Sequence, residues 1–467
     1  MITYQDYLKI PDTDSEKTAF VRKCIQEHKG SELYRVAVIA DEYDRQLNRT
    51  IRNYQKILYD MTGKAIPDNW SANYKMASKF FNRFITQENQ YLLGNGVTWK
   101  NETTGKKLGD DFDTQLQKVG KMALSGAVSF GFFNYDHLEG FSVMEFVPLY
   151  DEENGALMAG IRFWQIDESK PLRATFYEID GYTDYIWNQR DNEEGHVYHE
   201  KRPYILKIRT SAADGEEIYD GQNYPTFPIV PLWGNPHHQS ELLGMREQID
   251  CYDLIKSGYA DNVDEGSLIY WTLNNAGGMD DVDLAQFLQK LRTLKAATLD
   301  NGVTADPHNI EAPYQSREAL LAKLRSDLYE DAMALDTKTI ADGAVTATQI
   351  RAAYEPLNSK TDQYEYCVRE FVKGILAIAG IDDEPSFTRS VIVNSQEEIQ
   401  LVTQSAMFLE EDYVVRKILT LLGDGDLADD VLKKRAANEL ERAQMEQSEA
   451  ETSEDDVEEE DVEEGEA

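Results

Sequence analysis

The chain has 467 residues, enough for two to four domains, and 41% of them are hydrophobic, so most of it is expected to fold around substantial cores. Its formal net charge of -38 has the wrong sign for tight nucleic-acid binding, because such binding depends on neutralising phosphates with lysine and arginine. No apolar run approaches the roughly 20 residues that cross a bilayer, and the first residues lack the basic and apolar stretches of a secretion signal. The three cysteines are far apart in sequence, which argues against a disulfide framework or a zinc site and favours synthesis in a reducing cytoplasm.

The N-terminal part is predicted to be helical. Residues 1–62 carry apolar side chains at helical spacing, with Ile51–Met61 as the last segment. A further helix is expected over Asn73–Gly94 and ends at Gly94-Asn95-Gly96. Two glycines in this order indicate a helix C-cap rather than a phosphate loop, since no third glycine and no Lys-Ser/Thr pair follows.

An antiparallel β region of about six strands is predicted from Phe141 to about Pro231, where the apolar period changes to two. Its strongest turn signals are Asn154-Gly155 and Asp180-Gly181, because asparagine, aspartate and glycine tolerate positive φ. Four prolines within twelve residues then mark a boundary that no helix or central strand would accept. They are Pro225, Pro228, Pro231 and Pro236.

Two helices, one going out and one coming back, are predicted between Leu242 and Arg351. The outgoing helix has one narrow apolar stripe on an otherwise charged surface, formed by Met245, Ile249, Tyr252, Ile255, Tyr259 and Val263. The returning helix has Ser316 as its expected N-cap and a stripe of leucines from Leu320 to Leu335. Two narrow apolar stripes are too small to form a hydrophobic core by themselves. The helices are therefore expected to pack on each other and on an additional surface, such as the same pair from a neighbouring subunit. An ordinary antiparallel hairpin inside a globular domain is the alternative.

A small mixed α/β excursion is expected between these helices. It would contain a strand at Ser267–Leu273, a helix at Asp280–Leu294 and a second strand near Ala296–Leu299. After the returning helix, Thr337–Val345 lacks periodicity and is expected to be a loop.

The C-terminal part is predicted to be helical up to an acidic end. A capping box of Thr346 and Gln349 opens a helix that Pro356 should kink or interrupt. Helical segments follow over Ser395–Leu422 and Leu427–Met445. From Glu446 onward there are thirteen acids and no base, so this end has almost nothing to bury and is expected to be disordered.

Catalytic motifs are missing from the sequence. It has no Gly-x-Ser-x-Gly elbow, Walker loop or His-Glu-x-x-His motif. His237-His238 follows Pro236 and indicates a turn rather than a metal pair, and with 85 acids, pairs of carboxylates arise by chance. We therefore expect a non-enzymatic protein without metal or cofactor, of the mixed α+β, helix-rich class.

Four motifs resemble those of the portal proteins of tailed bacteriophages, of the siphovirus type. The first is Phe227-Pro228-Ile229-Val230-Pro231-Leu232, with Asn235 and then Gln248-Ile249-Asp250-Cys251-Tyr252, and the second is Tyr91-Leu92-Leu93-Gly94. The third is Asp342-Gly343-Ala344, where the family has Ser-Gly, and the fourth is Asn394-Ser395-Gln396-Glu397-Glu398, which lacks the family's proline. Each motif is loose alone, but together their order and spacing are specific and cover nearly the whole chain.

The resemblance implies a portal-type subunit with named parts. These are a wing over 1–238, a stem of helices over 239–266 and 316–334, a clip over 267–315, a tunnel loop over 335–346, a kinked wing helix over 347–394, crown helices over 395–445 and the acidic tail over 446–467.

The resemblance also implies a function and partners. Family members form rings, usually of about twelve copies, at one capsid vertex, through which terminase packages double-stranded DNA. The implied partners are further copies of the chain, DNA held transiently, the terminase large subunit, major capsid and scaffold proteins, and a head-completion adaptor, with no membrane involved.

The residues expected to face the DNA are of two kinds. Lys256, Lys323 and Arg325 on the stem would give weak, rapidly exchanged phosphate contacts in an otherwise repelling channel. The tunnel loop would touch DNA through Thr337, Lys338, Thr339, Asp342 and Gly343, unless it is only a connector. Two competing functions remain open at this stage, a structural or scaffold component without a channel and a DNA-processing enzyme with acidic metal ligands.

Overall fold

The computed structural model describes residues 2–59, 63–69, 71–101, 103–188, 195–210, 217–265, 270–274, 304–308, 314–338, 347–390 and 395–438. The chain divides into two compact units, one of 1–336 with 356–390 and one of 337–355 with 391–467. The expected helix Asp280–Leu294, the strand Ala296–Leu299 and the acidic end lie outside the described residues. The class is mixed α+β, as the sequence predicts.

The first unit begins with four helices and a short hairpin. The helices are α1 (Tyr4–Leu8), α2 (Asp14–Gly30), α3 (Glu32–Asp44) and α4 (Arg49–Asn53), and the hairpin pairs β1 (Ile57–Tyr59) with β2 (Ala65–Pro67). The prediction that the helix continues to Met61 is wrong. The chain turns extended at Tyr54, and Gly63 supplies the positive φ of +81° that lets the β-favouring residues of β1 pair back on β2.

The second helical stretch is shorter than expected. Helix α5 covers Phe80–Leu93 and ends at Gly94, in agreement with the C-cap prediction. It does not begin at Asn73, because residues 71–79 are not helical and three of their amides bind acceptors on a later helix. Three further elements follow for which the sequence analysis makes no prediction, β3 (Val97–Trp99), α6 (Thr103–Leu108) and α7 (Phe112–Gly126).

The β region begins at Val128, and its described residues form ten strands rather than about six. They are β4 (Val128–Asn134), β5 (His137–Ser142), β6 (Phe146–Tyr150), β7 (Leu157–Trp164), β8 (Leu172–Glu178), β9 (Gly181–Trp187), β10 (His196–Arg202), β11 (Ile205–Thr210), β12 (Glu217–Gln222) and β13 (Ile229–Trp233). All pairs are antiparallel, in sheets of order β13-β4-β5, β10-β9-β8-β7-β6 and β11-β12. Strand β4 escapes prediction because it is buried at almost every position and so lacks the alternation of a half-exposed strand.

The rest of the first unit is mostly helical. It contains α8 (Arg246–Glu265), the pair β14 (Tyr270–Asn274) and β15 (Thr304–His308), α9 (Tyr314–Asp331), and β16 (Pro385–Phe387), which pairs with β3. Ser316 was predicted to be the N-cap of α9. Because α9 begins at Tyr314, Ser316 lies in its first turn instead, and this prediction is wrong. Helix α10 (Ala347–Ala379) is continuous through Pro356, so of the predicted kink or interruption the interruption is wrong. The two units divide at that residue.

The core of the first unit forms where α5, α7 and the second half of α10 meet. It is lined by large side chains such as Phe84, Leu116, Tyr364 and Phe371, all at most 2% exposed. A second core lies between α2 and the five-stranded sheet. A third is formed mainly by side chains of β4, β5 and β13, with Phe146 of β6, Tyr177 of β8 and Ala37 of α3.

The second unit contains short C-terminal helices. They are α11 (Ser395–Ser405), a 3₁₀ turn (Ala406–Phe408), α12 (Glu411–Leu422), a second 3₁₀ turn (Gly425–Leu427) and α13 over 428–438. The segment predicted to be helical over Ser395–Leu422 is interrupted by the turn at Ala406–Phe408. It ends at Leu422 as predicted, and Gly423 there has a φ of +92°. Across the described ranges of both units, every helix is too short or too polar to cross a bilayer.

Candidate functional site

Helices α8 and α9 lie side by side and antiparallel. Near the start of α8, Gln248 donates to Asp331 at the end of α9 at 2.5 Å. Eleven residues further along α8, Tyr259 donates to Glu318 near the start of α9, and its ring lies 5.7 Å from that of Tyr314. The outgoing and returning helices predicted from the apolar stripes are therefore present and packed together.

One end of this pair is embedded in the main core. Met245 just before α8, Ile249 of α8 and Leu328 of α9 are at most 4% exposed. The ring of Tyr329 meets that of Phe84 edge-on at 5.2 Å, and its hydroxyl accepts a hydrogen bond from Arg83 at 2.5 Å. These contacts fix the near end of the pair to α5.

The far end of the pair leaves apolar side chains uncovered. Val263 of α8 is 57% exposed, and Tyr314 and Leu320 of α9 are 39% and 46% exposed. Within α9, the described buried residues are confined to its last turns, at Leu328 and Tyr329. Within a single copy, α9 is thus buried at one end only, and the far end of the pair keeps exposed apolar side chains.

A ladder of three hydrogen bonds ties α8 to the non-helical segment 71–79. Asp253, Ser257 and Asp261 of α8 accept from the backbone amides of Ser78, Met76 and Tyr74, at 2.9, 3.0 and 2.7 Å. The spacing matches, because four helical residues rise about 6 Å while two extended residues advance about 6.5 Å. Each turn of the helix therefore meets the next inward-facing amide of the segment.

Other acids of α8 also bind the N-terminal region. Asp250 accepts from the hydroxyls of Tyr43 and, at 2.7 Å, Thr50, and Asp261 forms an ion pair with Lys56 at 3.1 Å. Asp253 is fully buried, and burial raises the pKa of its carboxyl against the opposing effect of its hydrogen bonds. These acids lie on the faces of α8 that the sequence predicts to be charged. Their buried partners could not be predicted, because a carboxylate bound to buried amides has the same sequence pattern as an exposed one.

A buried ion triad lies beside the base of the helix pair. The Nζ of Lys360, on α10, is 2.8 Å from Glu88 of α5 and 2.7 Å from Glu241, which precedes α8. Burial raises the pKa of Glu88 to about 7, although Lys360 opposes the rise. Burial also disfavours the charge of Lys360, but the two carboxylates outweigh it and raise the pKa of the amine. Three distant parts of the chain are therefore joined by one ammonium group.

Comparison with known proteins identifies the family. The model of the family described as "Phage portal protein, SPP1 Gp6-like" matches residues 23–453. The chain belongs to this portal protein family. The portal protein of Bacillus phage SPP1 is 25% identical over 431 residues, which are 83% of this chain and 80% of that protein. The portal protein of Clostridium phage phiCD119 is 25% identical over 211 residues, 43% of this chain, so the match spans only 47% of that relative's length.

Solved structures give a weaker likeness. The neck of a native gene transfer agent particle computed with C12 symmetry has a TM-score of 0.40 and 11% identity, over 74% of this chain and 89% of that one. The neck of the empty particle computed with C6 symmetry has a TM-score of 0.41 and 10% identity, over 74% and 90%. The TM-scores and identities are too low for any feature of those particles to be inferred for this portal protein.

The three stem bases predicted to face DNA are found in different surroundings. Lys256 is half-buried, with its Nζ 6.0 Å from the centre of the Tyr252 ring. Lys323 is exposed and forms an ion pair with Asp327 at 2.5 Å. Arg325 forms two hydrogen bonds to Asp336, at 2.7 and 2.8 Å. Lys323 and Arg325 are thus each matched by a carboxylate of the same copy.

The tunnel-loop residues lie only partly in the described chain. Thr337 and Lys338 are exposed, whereas Thr339, Asp342 and Gly343 lie outside the described residues. The segment leading into them is held by Gln87, which accepts from the amide of Leu335 and donates to its carbonyl, both at 3.1 Å. Within the ranges that the structure describes, no group of three or more His, Cys, Asp or Glu residues is arranged to hold a metal ion.

Proposed function

We propose that this portal protein forms a ring at one vertex of a phage capsid, through which a terminase motor packages double-stranded DNA and through which the DNA is later ejected. Head-completion and tail proteins would attach to the same ring. The observation that carries the proposal is the α8–α9 pair, whose base is buried in the main core and whose far end exposes apolar side chains. The family match over residues 23–453 supports it.

The uncovered end of the pair favours completion by a neighbouring copy. Two helices with narrow apolar stripes leave Val263 and Leu320 in water when the chain is alone. In a closed ring, each pair would be flanked by two identical pairs, which supply the missing apolar surface without any new element. We propose that these helices are the stem, that residues 267–315 are the clip facing the tail and that 335–346 is the tunnel loop. Residues 1–238 with 347–394 would form the wing and 395–445 the crown.

The charge of the chain fits a channel that confines DNA without holding it. Excluding the thirteen acids from Glu446 onward, the formal charge is about -25, since -38 plus 13 is -25. Of the three stem bases, Lys323 and Arg325 are already paired with carboxylates, so their attraction for phosphate is weakened. Phosphate contacts would then be few, weak and sensitive to salt.

The proposed partners follow from this position. They are further copies of the chain, transiently bound DNA, the terminase large subunit, the major capsid and scaffold proteins, and a head-completion adaptor. The proposed location is the portal vertex of the virion, after synthesis in the bacterial cytoplasm. The family is structural rather than enzymatic, and we propose no catalytic role.

Electron microscopy and mass measurement of the purified full chain test the ring. We expect closed rings of about twelve copies with a central hole wide enough for duplex DNA. Closed particles without such a hole would favour a scaffold component instead. A chain that stays monomeric at every concentration and salt, and is missing from virus particles, would contradict the proposal.

The channel role of the stem bases is tested by charge reversal. If Lys256 faces the DNA, Lys256→Glu should change the amount of DNA packaged or retained, because a weak attraction becomes a repulsion. Lys170→Glu makes the same charge change in an exposed turn of the β region and serves as the control. If the two variants package equally, Lys256 is not a channel residue.

A further inference from the structure

A groove of about 510 Å³ runs beside α8, on the side that faces the N-terminal region. Ile51, Tyr54 and Tyr74 line one wall, and Ile255 and Gly258 of α8 line the other. Ligand sites in proteins occupy roughly 300–1,000 Å³, so the groove is large enough to receive a side chain of a partner.

The groove is apolar at its base and hydrated at its mouth. Ile51 is 1% exposed, whereas Tyr54 and Tyr74 are 44% and 48% exposed. A Cβ built on Gly258 would meet nothing within 4 Å, so there is open space beside the helix backbone. An apolar side chain that entered this space would lose contact with water without displacing any group of the chain.

The two walls are already fixed to each other. Asp261 of α8 accepts from the amide of Tyr74 at 2.7 Å and forms an ion pair with Lys56 at 3.1 Å. The Nζ of Lys56 also donates to the carbonyl of Ala72 at 2.5 Å. A ligand would therefore meet a preformed site, which lowers the entropy that is lost when it binds.

The wall from the N-terminal region is basic in a chain that is otherwise acidic. Residues 50–79 contain five bases and two acids, whereas the whole chain has a net charge of -38. Of the two acids, Asp68 is 5% exposed and Asp60 lies outside the described residues.

Three bases around the groove have no carboxylate partner within the described ranges. Arg317 of α9 lines the groove, and its one hydrogen bond goes to the carbonyl of Gly258 at 3.4 Å. Lys75 follows Tyr74, and its Nζ donates to the carbonyl of Arg52 at 2.7 Å. Arg52 itself is exposed and lies between the wall residues Ile51 and Tyr54.

The acids of the two helices leave these bases in excess. Asp261 is already matched by Lys56. Asp264 and Glu318 are exposed further along α8 and α9, but neither lines the groove, and Glu318 accepts from Tyr259. The mouth of the groove thus favours a negatively charged ligand.

An acidic protein segment fits this combination better than a nucleic acid does. An extended segment can place one apolar side chain in the groove and carboxylates on both sides of it. The sugar–phosphate backbone has no apolar side chain to bury beside Ile51, and the net charge of the chain repels a long polyanion.

We propose that this groove binds an acidic, extended segment of a separate protein. An apolar side chain of that segment enters the space beside Gly258, and the carboxylates next to it approach Arg317 and Lys75. The groove lies within one copy of the chain, so this inference does not depend on the proposed ring.

The first test compares acidic peptides with and without an apolar anchor on the full-length chain. Two labelled heptapeptides of aspartate and glutamate, one with leucine and one with serine at the centre, are titrated by fluorescence anisotropy. The leucine peptide should bind at least about tenfold more tightly, because burying a leucine shifts an equilibrium by that factor or more. Equal affinities, or tighter binding of an oligothymidylate of the same net charge, would overturn the proposal.

The second test fills the groove. Gly258→Leu should remove the preference for the leucine peptide, because the new side chain occupies the open space. Gly30→Leu at the end of α2 is the matched control, since a Cβ there also meets nothing within 4 Å, and it should bind as the wild type does. Thermal unfolding checks that both variants fold. A preference that survives in Gly258→Leu would show that the peptide binds elsewhere.

The third test reverses a charge at the groove. Arg317→Glu should weaken binding of the leucine peptide roughly fivefold and strengthen binding of a peptide with lysines in place of the acids. Lys170→Glu, in an exposed turn of the β region, should change neither. An unchanged affinity in Arg317→Glu would contradict the proposed position of the carboxylates.

A neighbouring copy of the chain is the competing occupant. Assembled rings and unassembled chain, separated by sedimentation, should bind the leucine peptide equally. Loss of binding on assembly would assign the groove to the neighbouring copy and overturn the inference. A chain that binds the peptide but never forms rings would contradict the proposed function and leave this inference standing.

Discussion

Removing the amine of Lys360 should destabilise the base of the helix pair by an amount that depends on pH. The substitution Lys360→Met keeps most of the side-chain volume but leaves the carboxylates of Glu88 and Glu241 without their counter-charge. Glu88 is 2% exposed, and both carboxylates lie within 2.8 Å of the Nζ. Breaking a buried ion pair from one side typically costs about 3–5 kcal/mol, which is the loss we expect at pH 8.

The sign of the pH dependence follows from Glu88. Its pKa in the folded protein is raised from 4.5 to about 7, so folding favours the protonated form. The stability from this group is fully present below about pH 4.5 and is lost as the pH rises through 7. Without Lys360 the pKa should rise further, so at pH 5 the carboxyl is neutral and the substitution should cost much less than at pH 8.

Native-state hydrogen exchange of the amides in residues 356–379, corrected for intrinsic rates, measures this local stability. The control is Lys373→Met on the same helix, where an exposed ion pair with Glu370 should contribute less than about 0.5 kcal/mol. Equal losses for the two variants, or a loss for Lys360→Met that is the same at pH 5 and pH 8, would refute the reasoning.

Two further substitutions test other contacts. Asp253→Ala should lower stability by about 2–4 kcal/mol, because it frees the amide of Ser78 at a fully buried site; unchanged exchange protection of that amide would contradict the ladder. Gly131→Ala should lower the free energy of unfolding by about 1–3 kcal/mol, because the new Cβ would lie 2.3 Å from the ring of Phe371. Gly258→Ala, whose Cβ meets nothing within 4 Å, is the control and should be neutral or stabilising in thermal unfolding.

The elements that the sequence predicts well are those with a clear period or a strong terminator. The apolar stripe from Met245 to Val263 predicts α8, and Gly423 marks the end of α12, because each of these signals depends only on neighbouring residues. Strand β4 fails for the opposite reason, since burial of nearly every residue in Val128–Asn134 removes the alternation on which the prediction depends.

The anchoring contacts of the candidate site could not be predicted, because they join residues that are distant in sequence. Nothing local distinguishes Asp253 from the other acids of α8. The amide that it binds, that of Ser78, lies 175 residues earlier, in a stretch whose sequence predicts a helix. Lys360, Glu88 and Glu241 are likewise ordinary surface residues until the fold brings them together. The resemblance to portal proteins supplied the family, but not these contacts.

The matched spacing of the ladder has a mechanical consequence. A shift of segment 71–79 by one residue along α8 would turn every bonded amide away from its acceptor, so the helix has a single seating along its own axis. A force directed along that axis would load the three rungs and the Lys56–Asp261 pair at the same time instead of one after another. A helix that experiences force along its axis resists displacement best when its hydrogen bonds and ion pairs share that force in this way.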